Sequence, residues 1–145
     1  MIQTLLDSTT IPLLEQVARF SELRQQFLAG NITNLDTPNC KSRDLPVEAF
    51  RKALKEAVIA RRRHPNAGTL ASVTQQPKSL NEIFSEQLFQ PVLAPAQNLT
   101  SLDGNNRNVE TAVMEMKKNT GMQRFAIEVM AAQLNLLQAV ISERA

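Results

Sequence analysis

Glu82 and Glu86 lie four residues apart, a spacing that sets two carboxylates on one helix face. Such a pair can do acid–base work when a matched partner pushes their pKa values apart, and neither has such a partner nearby in sequence. Asp36 and Asp44 are two more carboxylates, separated by turn-forming residues. His64 is the single histidine and follows Arg61-Arg62-Arg63, with no neighbouring carboxylate to make it a base. Cys40 is the single cysteine; it can form no internal disulfide and reads as a lone, partly buried thiol. One His and one Cys are too few soft ligands for a zinc site. Asp103-Gly104-Asn105 has the opening of a calcium loop without the rest of its ligand spacing. The four glycines are scattered, so no phosphate-cradling loop forms. The reactive residue types thus predict no catalytic, cofactor or metal site, and the chain is read as a non-enzyme.

Composition narrows the class further. The chain has 145 residues, one ordinary domain, with 43% apolar and 21% charged residues and only 4% aromatic ones. The net charge of +2 falls well short of a nucleic-acid signature. Arg61, Arg62 and Arg63 concentrate charge where a helix would end, a position that favours cations. No apolar run approaches the ~20 residues of a membrane span. The first residues, Met1-Ile2-Gln3-Thr4-Leu5-Leu6-Asp7, lack the basic and long apolar regions of a cleaved secretory signal, so none is expected.

The elements that must carry any function are helical. Val109, Val113, Met116, Thr120, Gln123, Ile127, Met130, Leu134, Leu137 and Ile141 advance by alternating fours and threes. That is a heptad seam, predicting one helix of about 50 Å. The helix would be longer than a compact globule of this length, so the molecule is expected to be elongated. Each Val, Ile, Leu or Met buried from this stripe is worth roughly 1.5–3 kcal/mol, and left exposed it invites aggregation. The seam therefore requires a partner helix, with Thr120, Gly121 and Gln123 marking a weak point near its middle. The natural partner is a helix from near Ile11 to near Thr33. Its apolar stripe runs Leu13, Val17, Phe20, Leu23 and Phe27, widened by Leu14, Ala18, Leu28 and Ile32, with Pro12 in its first turn. It stops at the turn cluster Asn34 to Asn39. A short third helix starts at Pro46 and buries Val47, Phe50, Leu54, Ala57 and Val58. From His64 to about Arg107 prolines and glycines interrupt the pattern. Ile83-Phe84 to Leu88-Phe89 fits a short helix or a strand equally. Asn108 is a good cap for the last helix.

The segment Gly30-Asn31-Ile32-Thr33-Asn34-Leu35-Asp36-Thr37-Pro38-Asn39-Cys40-Lys41-Ser42-Arg43-Asp44 resembles the N-terminal motif of bacterial flagellar axial proteins, and its Asp-Thr-Pro form that of the rod proteins among them. Ser101-Leu102-Asp103-Gly104-Asn105, then Glu110 and Asn119, resembles the same family's second turn and following helix. Asn39-Cys40 stands where the family has Gly-Tyr, Thr33 where Ala is usual, Arg107-Asn108 for Val-Asp and Gln123 for Tyr, so the resemblance is to a divergent member. It implies a structural subunit of the flagellar basal-body rod in the periplasmic space, assembling helically to transmit torque. It also implies export through the flagellar type III apparatus without a cleaved signal. Its implied partners are further copies of itself, other rod subunits, and the adaptors of the membrane ring and export gate. No small-molecule substrate and no nucleic acid is implied. Asn31, Asn34, Asp36, Thr37, Pro38, Asp103, Gly104 and Asn105 would be the assembly motif. Val109, Val113, Met116, Ile127, Met130, Leu134, Leu137 and Ile141 would be the assembly seam.

The expected architecture is mainly α. Two long terminal helices pack as an antiparallel-type coiled coil, with a short middle helix and an irregular, proline-rich middle segment that has room for β structure. Residues 1–45 hold the N-terminal helix and turn, 46–107 the middle segment and 108–145 the heptad helix, with 1–45 and 108–145 forming one core domain. A competing reading makes the chain a helical adaptor or a weak nucleic-acid binder, using Arg61 to Arg63 and the heptad face. Such a binder would lose affinity steeply with salt.

Overall fold

A computed structural model describes residues 9–35, 37, 40–63, 79–94 and 109–143. Helix α1 spans Ile11–Thr33, with Pro12 in its first turn, where the missing N–H leaves no bond unmade. The Thr9 hydroxyl accepts from the Ile11 N–H at 3.3 Å. At the other end the Asn34 side chain and backbone N–H both donate to the Gly30 carbonyl at 3.0 Å, satisfying an end group that a longer helix would have bonded. The buried residues of α1 are Leu13, Val17, Phe20, Ser21, Arg24 and Leu28. This is the anticipated stripe with one unanticipated member, an arginine.

Strand β1, Arg43–Asp44, pairs antiparallel with β2, Val92–Leu93, and the Ala94 N–H extends the ladder to the Ser42 carbonyl at 2.9 Å. The β structure for which the middle segment had room is therefore a two-stranded clip. Helix α2, Val47–Arg63, turns Phe50, Ala53 and Ala57 inward and keeps Arg51, Lys52, Lys55 and Glu56 in water. The ambiguous apolar segment becomes a single helical turn, α3, Leu80–Ile83, followed by a 3₁₀ turn, Glu86–Phe89. Ser79 and Glu82 close a reciprocal cap on α3: the Glu82 N–H donates to the Ser79 hydroxyl at 3.3 Å and the Ser79 N–H to the Glu82 carboxylate at 3.0 Å. Glu82 is thus a capping residue, and Glu86 sits exposed, 3.9 Å from Arg19.

Four of the six phenylalanines hold these pieces together. Phe20 of α1 stacks on Phe50 of α2 with ring centroids 3.8 Å apart. Phe84 and Phe89 approach Phe50 at 5.5 and 6.4 Å, in the tilted and edge-on arrangements that aromatic quadrupoles favour. Arg19 covers the Phe89 ring at 4.6 Å. Around them Leu13, Val17, Leu45, Ala53, Ala57 and Ile83 complete the core.

Helix α4, Val109–Glu143, has 35 residues, about 52 Å of helix, and packs antiparallel on α1. The antiparallel sense is fixed by side-chain bonds: Gln133 donates to the Thr10 hydroxyl, Asn119 to Gln25, and Arg24 to Glu115. The line of α4 most covered by α1 is Ala112, Met116, Asn119, Gln123, Ala126, Met130, Gln133 and Leu137, again spaced by fours and threes. It shares Met116, Gln123, Met130 and Leu137 with the apolar heptad read from sequence. Of the other six members Thr120 is half-buried, and Val109, Val113, Ile127, Leu134 and Ile141 stand exposed on one flank. The physical reason is close approach. Ala126 and Ser21 are fully buried where the two helices come together, and larger side chains there would hold them apart. One expectation is corrected: α4 is long and apolar enough to cross a membrane, since Glu128 is the one charged residue between Phe125 and Ser142, although little of that stretch is buried.

The core and the flank respond differently to truncation. Phe50, 1% exposed, should lose ~3–5 kcal/mol of stability on Phe50→Ala. Phe125, 64% exposed on α4, should change it by no more than about 0.5 kcal/mol on Phe125→Ala. Urea denaturation followed by circular dichroism reads both.

Candidate functional site

Arg24 is the one cation placed in the buried stripe of α1, and three elements converge on it. Its Nε donates to Asp44 Oδ1 at 2.9 Å and a terminal nitrogen to Asp44 Oδ2 at 2.8 Å, a two-point fork on the β1 carboxylate. The same terminal nitrogen donates to Glu115 Oε2 of α4 at 3.0 Å. Lys118 closes the other side of Glu115 at 3.2 Å. Burial alone would push Arg24 towards neutrality, but the hydrogen bonds and charges of Asp44 and Glu115 outweigh it and hold its pKa above the ordinary arginine value. Burial likewise pushes the Glu115 carboxyl up. Arg24 and Lys118 outweigh that and hold it below the ordinary carboxylate range. The clasp is therefore a fully charged cluster that ties α1, β1 and α4 to one register.

One helical turn away a neutral layer repeats the register. Asn119 is buried and donates to the Ser21 backbone carbonyl at 2.7 Å and to Gln25 Oε1 at 2.9 Å. An amide bonding the neighbouring helix's backbone tolerates no slide along that helix, because a displacement of one residue leaves both groups unpaired in the interior. Thr120 returns its hydroxyl to the Met116 carbonyl at 2.9 Å. The polar interruption of the heptad at Thr120 to Gln123 is thus beside the locking layer, and α4 runs through it as continuous helix.

Of the predicted assembly motif, Asn31, Asn34 and Thr37 are described, and Asp36, Pro38, Asp103, Gly104 and Asn105 lie outside the described residues. Asn31 brackets the backbone of Arg43: its Nδ2 donates to the Arg43 carbonyl at 2.7 Å and its Oδ1 accepts from the Arg43 N–H at 3.0 Å. The side chain thereby takes the place of a neighbouring strand along the free edge of β1. Asn34 serves the end of α1, and Thr37 is exposed beyond it. Cys40 is half-buried and free, and His64 lies outside the described residues. Arg61 is half-buried at the end of α2; the side chains of Arg62 and Arg63 are outside the description.

Among the described residues most of the exposed large hydrophobics are on α4, with Ile59, Val92 and Leu93 elsewhere. One flank presents Val113, Ile127, Leu134 and Ile141, and the other Met122, Phe125, Leu136 and Val140, with Leu136 67% exposed. Between them runs the line against α1. Of the predicted seam, Met116, Met130 and Leu137 lie on that inner line, and Val109, Val113, Ile127, Leu134 and Ile141 on the open side. Sequence reasoning missed Arg24 and Glu115, and took Asp44 as a carboxylate across a turn from Asp36 and as the last residue of the segment that carries the resemblance. The available signal was Arg24 itself, four residues after Phe20 and four before Leu28, in the middle of an apolar stripe.

Removing the clasp should be costly in proportion to burial. The Arg24 side chain is 10% exposed and that of Glu115 28%. Arg24→Ala leaves the Asp44 carboxylate without its cation and should lose ~3–5 kcal/mol. Glu115→Gln, nearer to solvent, should lose about 1 kcal/mol or less. Because the Glu115 pKa is lowered by folding, its contribution is complete above the ordinary glutamate value near 4.5 and disappears as pH falls through its lower folded value. The melting-temperature gap between the native chain and Glu115→Gln should be constant above about pH 5.5 and close in acid.

No protein-family model matches the chain. It is similar to the flagellar basal body rod protein FlgB of Salmonella typhimurium (strain LT2), with 28% identity over 121 residues. The alignment covers 81% of this chain and 82% of that protein. The likeness to FlgB thus runs through most of both sequences, and in this chain it lies on two long paired terminal helices and a small two-stranded clip.

Proposed function

We propose that the chain is a structural, non-catalytic subunit of the flagellar basal-body rod. The observation that carries this reading is the similarity to FlgB over four-fifths of both chains. The exposed flanks of α4 agree with it. A subunit that leaves Ile127, Phe125, Leu134 and Leu136 in water is built to be covered by neighbours on two sides. In the proposed rod, copies of this chain and of related rod subunits pack helically through their paired terminal helices, and torque passes along that packing. The turn from Asn31 to Asp44, with the Asp103-Gly104-Asn105 segment, contributes contacts between subunits. Export through the flagellar type III apparatus delivers the chain, and adaptors of the membrane ring and export gate meet the base of the assembly in the periplasmic space.

The α4 flanks separate assembly from folding. Ile127→Ser with Leu136→Ser removes two exposed apolar side chains, one from each flank. The purified variant should melt within about 0.5 kcal/mol of the native chain. Cells carrying it in place of the native copy should lose swimming and lack rods in isolated basal bodies, since apolar anchors at an interface are each worth ~2 kcal/mol or more. Normal rods and full motility with both substitutions would defeat the reading.

A further inference from the structure

We propose that Arg24 couples the seating of α4 to the closure of the β1–β2 clip, so that a change at Glu115 is felt at Leu45 and Ala94. The proposal stands on the geometry of the clasp and does not depend on the flagellar reading. α4 and β1 each pack on α1, and β1 also on β2, while the Arg24 guanidinium bonds both α4 and β1. The route is a short chain of polar contacts. One terminal nitrogen of Arg24 donates to Glu115 Oε2 at 3.0 Å and to Asp44 Oδ2 at 2.8 Å. Arg24 Nε donates to Asp44 Oδ1 at 2.9 Å, and that same oxygen accepts the Leu45 N–H at 2.7 Å. Leu45, 2% exposed, accepts the Val47 N–H on its carbonyl at 2.8 Å, where α2 begins. Asp44 also stands in register with Val92, and the Ala94 N–H closes the clip on the Ser42 carbonyl.

Two opposing effects act between the carboxylates. Asp44 and Glu115 carry the same sign and draw on one guanidinium, which by itself makes each bond weaken the other. Lys118, 3.2 Å from Glu115, offsets part of that repulsion. Against it, the two-point fork on Asp44 fixes the planar guanidinium, so the bond to Glu115 needs no further loss of side-chain freedom. The reverse holds for Asp44 once Glu115 is in place. The Arg24 side chain is 10% exposed, so displacing either carboxylate leaves donors short of partners in a site nearly closed to water. Preorganisation outweighs the repulsion, and a seated α4 steadies the clip.

Amide hydrogen exchange in the full chain, read residue by residue by NMR, tests this. Glu115→Gln should speed exchange at Leu45 and Ala94 by about threefold or more relative to residues 50–57 of α2. Equal acceleration at all of these amides would mean a global loss of stability and would overturn the proposal, as would no change at Leu45 and Ala94. Arg24→Lys keeps the charge and loses the planar fork. Adding Glu115→Gln to that variant should move Leu45 and Ala94 by about 1.5-fold or less relative to the same α2 amides. A threefold response that persists with lysine would place the route outside the guanidinium and overturn the proposal as well.

Discussion

The structure depends on one constraint: among the described residues, a 35-residue helix that is apolar around much of its circumference packs mainly on one helix of 23 residues. Such a helix offers several lines of comparable hydrophobicity, and burial by area alone does not choose between them. The choice is made by close packing and by polar groups. Ala126 and Ser21 let the axes approach, Asn119 bonds the facing backbone, and Arg24 joins Glu115 to Asp44. Each polar bond adds little net stability, but sliding by one residue would bury each group unpaired, so together they penalise every alternative register. The apolar contacts hold the pair together and the polar ones decide how.

Arg24 also links the helix pair to the rest of the chain. By gripping Asp44 it fixes β1, whose other edge is occupied by the Asn31 amide. β1 in turn positions Leu45 and the start of α2, which carries Phe50 onto Phe20. The aromatic cluster and the ionic clasp thus lie on α1 one turn apart, the first securing the middle segment and the second securing α4. The exposed charge pair Arg51–Glu48 has no comparable role, since both side chains are largely in water and their attraction is screened.

Helix boundaries were legible because local chemistry sets them. Pro12, the turn formers after Thr33 and Pro46 mark ends that need no tertiary information, while the predicted cap Asn108 lies outside the described residues. The heptad of α4 was legible as a period, and its inner face was not. Two lines that share Met116, Gln123, Met130 and Leu137 fit the same spacing, and counting apolar residues favours the one with Ile127 and Leu134. The folded chain uses the one with Ala126 and Asn119. Which of them turns inward depends on Ser21 and the Ser21 carbonyl, 98 residues away in sequence from Asn119. The clasp was hidden for the same reason: Arg24 and Glu115 are separated by 91 residues, and no local pattern pairs them. Asn31 was singled out through the family resemblance alone, and within the fold its side chain bonds the Arg43 backbone.

A helix with one inner line and two open apolar flanks differs from a coiled-coil helix, which hides its single seam and presents charge elsewhere. The flanks of α4 diverge to either side of α1, so partners seated on them would not compete with α1 or with each other. In the proposed rod, one flank of a copy meeting a different surface of the next would be a heterologous contact, and such contacts propagate into rings or helical arrays instead of stopping at a pair. In the proposed assembly the polar register lock would keep this geometry constant. If α1 could slide on α4, the angular positions of Ile127 and Phe125 relative to the remainder of the subunit would vary, and a repeated lattice requires them constant. Rigidity from buried polar bonds and the adhesion proposed for the exposed apolar flanks would therefore be complementary parts of one surface.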